Sequence, residues 1–357
     1  MSRIDALRCH PVRVPLHTPF VTALRRATAI ESLIVEVVDS DGIRGFGEAP
    51  QVWAVTGDSL AGSAACVEGP LGAATVGSDA DDLHDTCRRV RRAVAGNLAA
   101  KAAIDVALHD LAARRRGVPL PVLLGGAGRT VATDVTVSAG SADEVAKAAQ
   151  ERVADGFGAL KLKVGTDAAS DAAQVLAVRE AVGPDVALRL DANQGWTPRE
   201  AVRVIGQMED GGADVELVEQ PVPAADIDGL GWVTDRVQTP IMADESVFGV
   251  RDLVRVIERR ASDLVNVKLA KSGGFIPART LLDLAEAHNM GTMIGSMMET
   301  HVGVGAAASL AAAVGTTVVS DLDAAWWAAE PSDSGLHYAD ATVVLPDAPG
   351  LGVEAPT

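Results

Sequence analysis

Short apolar runs recur at regular intervals after residue 130, and several of them end in a charged or polar side chain. They are centred near Val135, Leu162, Leu190, Val218, Ala243, Val267, Ile294 and Val319, 24 to 28 residues apart. Amphipathic stretches with helical periodicity lie between them, for example at 142–154, 171–182, 198–208 and 278–287. Alternating strands and helices predict a parallel sheet with right-handed crossovers. Eight evenly spaced units favour an α/β fold of the (β/α)8 TIM-barrel type over an open doubly wound sheet.

The first 125 residues follow another pattern. Two strand-like runs, 13–16 and 32–38, are followed by a hairpin-turn signal at 39–42, and an alanine-rich stretch at 97–116 has helical periodicity. These features predict an α+β domain over 1–125 and a barrel over 126–320. The remaining segment, 321–357, is too short for another strand–helix unit, so we expect it to return and pack on the N-terminal domain.

Length, charge and cysteine content limit the possible partners. A chain of 357 residues is long for one core, which agrees with two domains. The net charge of −17 argues against nucleic acid or an anionic membrane as a partner. Cys9, Cys66 and Cys87 are far apart, as reduced thiols usually are, the start has no signal-peptide core, and no apolar run reaches membrane-spanning length. We therefore expect a cytoplasmic protein.

Three acids end successive predicted strands: Asp191, Glu219 and Asp244. Functional side chains of such barrels gather at the carboxyl ends of the strands, and neighbouring strands lie about 4.8 Å apart. Three carboxylates this close would repel one another unless a cation held them. Hard oxygen ligands without histidine or cysteine select Mg²⁺, so we predict one Mg²⁺ per subunit. The alternative is that each acid caps a helix or pairs with a lysine.

Lysines come from the strands on either side of these acids. Lys161 and Lys163 share one face of the preceding strand, and Lys268 ends the following one. A nearby divalent cation and a second ammonium lower a lysine pKa towards the range of a general base. We expect Lys163 and Lys268 to be two acid/base groups on opposite faces of a substrate α-carbon. Mg²⁺ and Lys161 would stabilise the enediolate that forms when a carboxylate loses its α-proton.

Five motifs occur in order at barrel spacing: Lys161-Leu162-Lys163, Asp191-Ala192-Asn193, Glu219-Gln220-Pro221, Asp244-Glu245-Ser246 and Lys268. With them the chain resembles the enolase superfamily, specifically its muconate-lactonizing subgroup, and within it the dipeptide epimerases. The resemblance spans nearly the whole chain. It implies an α+β capping domain over a TIM barrel and a Mg²⁺-dependent isomerase, for which a lysine base is known.

The resemblance also implies a set of substrate contacts: Arg25, Trp53, Thr136, Ser296, Met298, Asp321 and Asp323. In the relatives an arginine like Arg25 pairs with a glutamate side chain of the substrate, and Asp321 and Asp323 match acids that hold the dipeptide's α-ammonium. The two-residue period of a strand would place these two aspartates on one face of the eighth strand. The resulting dianionic pocket would favour a free ammonium group and repel the carboxylate of a muconate or succinyl-type substrate. Alternatively, Asp321 caps a helix and Asp323 is solvated.

The predicted activity is inversion of the α-carbon of the C-terminal residue of a dipeptide by two-base 1,1-proton transfer, with L-Ala-D/L-Glu as the favoured substrate. The alternatives are a hydroxyproline- or proline-type epimerase or dehydratase, an N-acylamino-acid racemase, a cycloisomerase, or a catalytically silent barrel. His301, Trp326 and Trp327 depart from the family pattern, and Arg26 beside Arg25 leaves open which arginine reaches the site. We expect a small-molecule substrate and a homo-oligomer.

Overall fold

The computed structural model describes residues 2–22 and 26–354, so Arg25 lies outside the described residues. Across those residues, none of the helices is both long and apolar enough to span a membrane. The three cysteines are free thiols, two of them buried.

The N-terminal part is an antiparallel three-stranded sheet, in the order β1-β2-β3, packed on helices. Its strands are β1 (Ile4–Val21), β2 (Arg26–Asp39) and β3 (Arg44–Pro50), and its helices are α1 (Leu60–Cys66), α2 (Gly72–Thr75), α3 (Leu83–Ala93), α4 (Leu98–Arg116) and α5 (Leu120–Leu123), with a π turn at Val67–Leu71. The buried helix α4 lies directly on β3. Gly47 makes this possible, since a side chain there would collide with the backbone of Ala103.

The barrel contains seven parallel strands in chain order, with only neighbouring strands paired. After the short β4 (Thr130–Ala132), they are β5 (Val135–Val137), β6 (Ala159–Lys163), β7 (Ala187–Asp191), β8 (Val215–Glu219), β9 (Ile241–Ala243), β10 (Leu264–Lys268) and β11 (Gly291–Gly295). Two parallel bridges, Gly295 with Asp321 and Thr133 with Ser320, close the ring where the eighth strand was predicted. The predicted barrel class is confirmed.

Helices cover the outside of the barrel. They are α6 (Ala142–Ala154), α7 (Asp171–Val182), α8 (Pro198–Asp210), α9 (Ile227–Thr234), α10 (Val250–Glu258), the single turn α11 (Leu269–Ser272), α12 (Phe275–Ala287) and α13 (His301–Val314). Capping boxes begin α6 and α8, through Ser141 with Glu144 and Thr197 with Glu200. The eighth unit ends instead in a 3-10 turn, Ala324–Trp327, and no α-helix follows it in the part of the chain that the structure describes.

The end of the chain returns to the N-terminal domain. Two short strands precede this return: β12 (His337–Ala339) pairs with β13 (Thr342–Val344), and β13 pairs with β4 at the start of the barrel. Farther on, Asp110 of α4 accepts a hydrogen bond from the Leu351 backbone at 2.6 Å, and Arg114 donates to the Val353 carbonyl at 2.6 Å. The domain boundaries at 125 and 320 stay predictions.

Candidate active site

The three predicted acids meet at the carboxyl end of the barrel. Asp191 of β7 is in register with Glu219 of β8, and Asp244 directly follows β9. The three residues are at most 1% exposed. Parallel strands start at one end of the ring and finish at the other, so three acids that each end a strand must lie side by side.

Each of the three predicted lysines contacts these acids. Lys163 Nζ lies 2.5 Å from Asp191 Oδ2 on one side of the group, and Lys268 Nζ lies 2.7 Å from Asp244 Oδ2 on the other. Lys161 forms an ion pair with Asp321 and lies 3.4 Å from Glu219. The lysines therefore flank the acids on strands β6 and β10, as their order in the sequence predicts.

The carboxylates of this group raise the pKa of the neighbouring lysines Lys161 and Lys268, whereas burial lowers it. Burial alone would lower the pKa of Lys268, but Asp244 and Glu219 raise it well above its usual range. Lys161 behaves in the same way, with Asp321 as the strongest counter-charge. Carboxylates that face both ammonium groups directly therefore hold these two pKa values high, and the lowering of a lysine pKa by a divalent cation stays a prediction.

The acids differ in how well the lysines compensate them. Burial raises the pKa of Glu219 to about 7, with Lys161 opposing it. Burial would also raise the pKa of Asp244, but Lys268 and Lys271 hold it far below its usual value. Next to Asp244, burial raises the pKa of Glu245 to about 8, and Asp244 and Asp191 add to that effect. The lysines therefore do not compensate all of the negative charge of this group of acids.

A hard divalent cation fits this group. The acids offer only oxygen donors, which is the chemistry that Mg²⁺ prefers. Within the described residues, Glu245 Oε2 and Asn193 Oδ1 are buried without a hydrogen-bond partner, although Asn193 Nδ2 donates to Glu245 Oε1 at 3.2 Å. Both residues and two of the acids, Asp191 and Asp244, line one cavity. Buried oxygens without a hydrogen-bond partner beside an acidic group fit the coordination of a cation, since burial without any partner would be costly.

The two predicted ammonium-binding acids, Asp321 and Asp323, line the same cavity. Asp323 Oδ2 accepts hydrogen bonds from the Thr136 backbone at 2.7 Å and from Trp327 Nε1 at 2.9 Å. The period-two pattern predicted that both acids lie on one face of the eighth strand, but only Asp321 belongs to that strand. Asp321 forms the last bridge of the barrel, whereas Asp323 begins the 3-10 turn, because the eighth strand ends between them.

The other predicted contacts divide into two groups. Thr136, Ser296 and Met298 line the cavity. Trp53 is 67% exposed and is not among the described residues that line it. The capping domain contributes apolar side chains that sequence analysis missed: Phe20, Val52 and Val55. No local signal separates those residues from ordinary core positions.

The residues that depart from the family pattern, His301, Trp326 and Trp327, are not among the described residues that line the cavity. Trp327 is buried, and its ring stacks on His17 with centroids 5.1 Å apart, while Arg152 lies over Trp326 at 4.9 Å. Their contacts make them packing partners of β1, and Trp327 also holds Asp323. Burial lowers the pKa of His301 to about 4, so its imidazole is neutral near pH 7.

A second cluster of potential metal ligands lies in the capping domain. Ligand atoms of Cys87, Asp105 and His109 lie within 4.8 Å of one another. Asp105 Oδ1 already accepts a hydrogen bond from the Phe275 backbone at 2.7 Å, and His109 Nδ1 contacts the Asp105 carbonyl at 2.7 Å. These atoms join α4 to the start of α12, so we interpret the cluster as structural.

Comparison with known families agrees with this architecture over both parts of the chain. The mandelate racemase / muconate lactonizing enzyme N-terminal domain matches residues 4–125, and the enolase C-terminal domain-like family matches residues 144–356. The chain belongs to the enolase superfamily, in its mandelate racemase / muconate lactonizing branch. The resemblance read from the five motifs is confirmed.

Relatives within this superfamily match the chain from end to end. An L-Ala-D/L-Glu epimerase of Bacillus subtilis is 42% identical, covering 98% of this chain and 96% of its own. An enzyme of the same name from Clostridium acetobutylicum is 41% identical, with 96% of each chain covered. A hydrophobic dipeptide epimerase of Enterococcus faecalis is 38% identical and covers 98% of this chain and 99% of its own.

Solved structures of superfamily members have the same fold. A substrate-liganded complex of the L-Ala-D/L-Glu epimerase from Bacillus subtilis superimposes with a TM-score of 0.95 at 42% identity, covering 98% of both chains. The Enterococcus faecalis dipeptide epimerase, in complex with Mg and L-Leu-L-Tyr, superimposes with a TM-score of 0.93 at 38% identity, covering 98% of this chain and 99% of that one.

Proposed function

We propose that this protein is a Mg²⁺-dependent dipeptide epimerase that inverts the α-carbon of the C-terminal residue. The observation that carries the proposal is the placement of Lys163 and Lys268 on opposite sides of a buried group of acids. Inversion needs one group to remove the α-proton and another to deliver a proton to the opposite face. The sequence relationship to dipeptide epimerases supports the same reaction.

In this proposal Asp191, Glu219 and Asp244 hold the Mg²⁺. When bound, the ion polarises the substrate carboxylate and stabilises the negative charge that develops as the α-proton leaves. Lys163 and Lys268 exchange the roles of base and acid according to which epimer of the dipeptide is bound. Lys161, paired with Asp321 and near Glu219, supplies a fixed positive charge beside the carboxylate.

Asp321 and Asp323 are proposed to bind the free α-ammonium of the dipeptide. Asp323 is held rigidly by Thr136 and Trp327, so its carboxylate is oriented before the substrate arrives. An acylated amine carries no charge for these acids to bind, which disfavours an N-acylamino-acid racemase or a cycloisomerase. A proline-type amino acid retains its charge and remains the alternative to exclude by assay.

L-Ala-D/L-Glu is the favoured substrate by relationship to the two relatives of that name. A hydrophobic C-terminal residue is a second candidate, favoured by a specific observation. The described wall of the cavity carries Phe20, Val52, Val55, Met297 and Met298, which offer apolar surface to a substrate side chain. A relative named for hydrophobic dipeptides lies at 38% identity.

Proton exchange in D₂O tests the activity directly. The enzyme with Mg²⁺ is incubated with L-Ala-L-Glu, L-Leu-L-Tyr, N-acetyl-L-Ala-L-Glu and L-hydroxyproline, and exchange at the α-carbon is followed by NMR. We expect exchange and epimerisation of at least one free dipeptide and neither for the acetylated one. Faster turnover of the acetylated compound or of hydroxyproline, or no exchange with any dipeptide, would reject the proposal.

A homo-oligomer and a cytoplasmic location complete the proposed function. The three free thiols agree with a reducing compartment. Light scattering on the purified enzyme measures the mass relative to the 36.7 kDa chain, and a mass equal to that of one chain would reject the oligomer.

A further inference from the structure

A fourth buried lysine contacts the acidic group without reaching the cavity. Lys271 is 1% exposed and lies in the single turn α11, three residues after Lys268. It is not among the described residues that line the cavity, whereas Lys268 is. The turn folds the chain back on itself after β10, which brings the Lys271 side chain behind the strand end that carries Lys268.

The Lys271 ammonium has three acceptors for its three protons. Nζ donates to Asp244 Oδ1 at 2.5 Å, to the Asp244 carbonyl at 2.5 Å and to the Asn266 carbonyl at 3.1 Å. Two of these acceptors belong to the same residue, so the ammonium fixes both its backbone and its side chain. A hydrogen bond to a charged group is stronger than a neutral one, and all three are shielded from water.

The two oxygens of Asp244 therefore have separate partners. Oδ1 is held by Lys271, and Oδ2 lies 2.7 Å from Lys268. Because Oδ1 is anchored, rotation of the carboxylate is restricted and Oδ2 stays directed towards the cavity side. Positive charge behind the acid also offsets the repulsion that Glu219 and Glu245 exert on it.

The turn that carries Lys271 is itself held from two directions. Ser272 Oγ donates to the Lys268 carbonyl at 3.1 Å within the turn. From the capping domain, Asp105 accepts from the Phe275 backbone at 2.7 Å directly after the turn. A side chain so closely confined cannot follow Asp244 if that acid moves, and it acts as a fixed support.

We propose that Lys271 is a positioning residue that orients Asp244 for the cation, so that it determines Mg²⁺ affinity without touching the substrate. This inference rests on the proposed Mg²⁺ site. Residues that orient metal ligands typically contribute 10- to 100-fold to metal affinity, and we expect Lys271 to act in this range.

Lys271→Met tests the proposal, with Lys147→Met on an exposed position of α6 as the matched control. Calorimetric titration of Mg²⁺ into the chelator-treated protein is expected to give a Kd raised at least ~10-fold for Lys271→Met and unchanged for Lys147→Met. At saturating Mg²⁺ the KM for the dipeptide should stay within ~2-fold of the original enzyme, because uniform substrate binding is untouched. An unchanged Mg²⁺ affinity, or a loss confined to KM, would overturn the proposal.

Chemical rescue separates charge from packing. Lys271→Ala removes three carbons and the ammonium, which propylammonium replaces, while 1-propanol has the same length without the charge. Propylammonium should restore Mg²⁺ affinity and 1-propanol should not; equal restoration would mean that Lys271 only fills space. If Lys271→Met does not fold, Lys271→Arg takes its place, and because a planar guanidinium cannot put three donors on one atom, unchanged affinity there would also overturn the proposal.

The binding measurement also separates this inference from the proposed activity. Normal Mg²⁺ affinity that falls in Lys271→Met, in a protein that exchanges no dipeptide proton, supports the positioning role and rejects the epimerase. Epimerase activity together with a Mg²⁺ affinity that does not change in Lys271→Met supports the proposed epimerase and rejects the positioning role of Lys271.

Discussion

Lys163 and Lys268 stand on opposite sides of one group of buried carboxylates, the first 2.5 Å from Asp191 and the second 2.7 Å from Asp244. Three strands, β7 to β9, lie between the strands that carry them. A substrate α-carbon bound above the group as proposed would therefore have an amine on either face, which is the arrangement that inversion of configuration requires.

Replacing either lysine separates the two half-reactions. Lys163→Ala and Lys268→Ala should each lower epimerisation by at least ~100-fold, the usual contribution of a general acid or base. Each variant should still exchange the α-proton of one configuration of the dipeptide in D₂O, and the two variants should differ in which one. Full turnover by either variant would contradict the two-base assignment, and Lys147→Ala serves as the unaffected control.

Removing the cation should abolish activity and lower stability. Chelation is expected to stop turnover, and Mg²⁺ at about 100 times its Kd should raise the free energy of unfolding by about 2.7 kcal/mol. Thermal denaturation with and without Mg²⁺ measures the shift. Asp191→Asn should largely lose it, whereas Asp185→Asn at an exposed position should keep it; equal shifts in both would place the cation elsewhere.

Removing one charge from the ammonium site should weaken the transition-state interaction with the dipeptide. Asp323→Asn keeps an oxygen for Thr136 and Trp327, so we expect it to fold. Loss of a charged hydrogen bond costs about 1.5–3 kcal/mol, which corresponds to a tenfold to 150-fold lower kcat/KM. The difference between free and N-acetylated dipeptides should shrink in the same measurement. A preference for the free amine that survives unchanged would show that another group binds it.

The buried acids Glu299 and Glu48 should make the free energy of unfolding decrease as the pH rises. Burial, together with Glu48, raises the pKa of Glu299 from 4.5 to about 8. Between those values the folded protein binds more protons than the unfolded chain, so this residue's contribution is complete below about pH 4.5 and is lost towards pH 8. Urea denaturation of Glu299→Gln should show a flatter pH dependence over this interval, and the exposed Glu286→Gln should not.

Two glycine substitutions should have opposite effects on stability. Gly274 has a φ of +113°, and a Cβ there would collide with Asp105, so Gly274→Ala should cost about 1–3 kcal/mol. Gly206 lies inside α8 with open space around it, and Gly206→Ala should gain about 0.5–1 kcal/mol. Chemical denaturation measures both. Equal changes would mean that the contact between capping domain and barrel at Gly274 is loose.

The helix bounds show which helix ends are determined by local sequence and which are determined by contacts with distant residues. The sequence predicts helices at 142–154 and 171–182, and α6 and α7 have these bounds. The stretch predicted at 278–287 begins three residues earlier, at Phe275, whose backbone hydrogen bond goes to Asp105 in the other domain. Periodicity reports the buried face of a helix, but a cap supplied by a distant residue leaves no periodic signal.

The sequence by itself determined the barrel and the meeting of its acids and lysines, because a residue that ends a parallel strand must lie at the common carboxyl edge. Only the tertiary structure decided which charges pair: Lys161 with Asp321, and Lys271 with Asp244. It also decided that Val52 and Val55, rather than Trp53, face the cavity. Pairing and facing depend on side chains that packing brings together from distant parts of the chain, whereas strand order depends only on pattern and spacing.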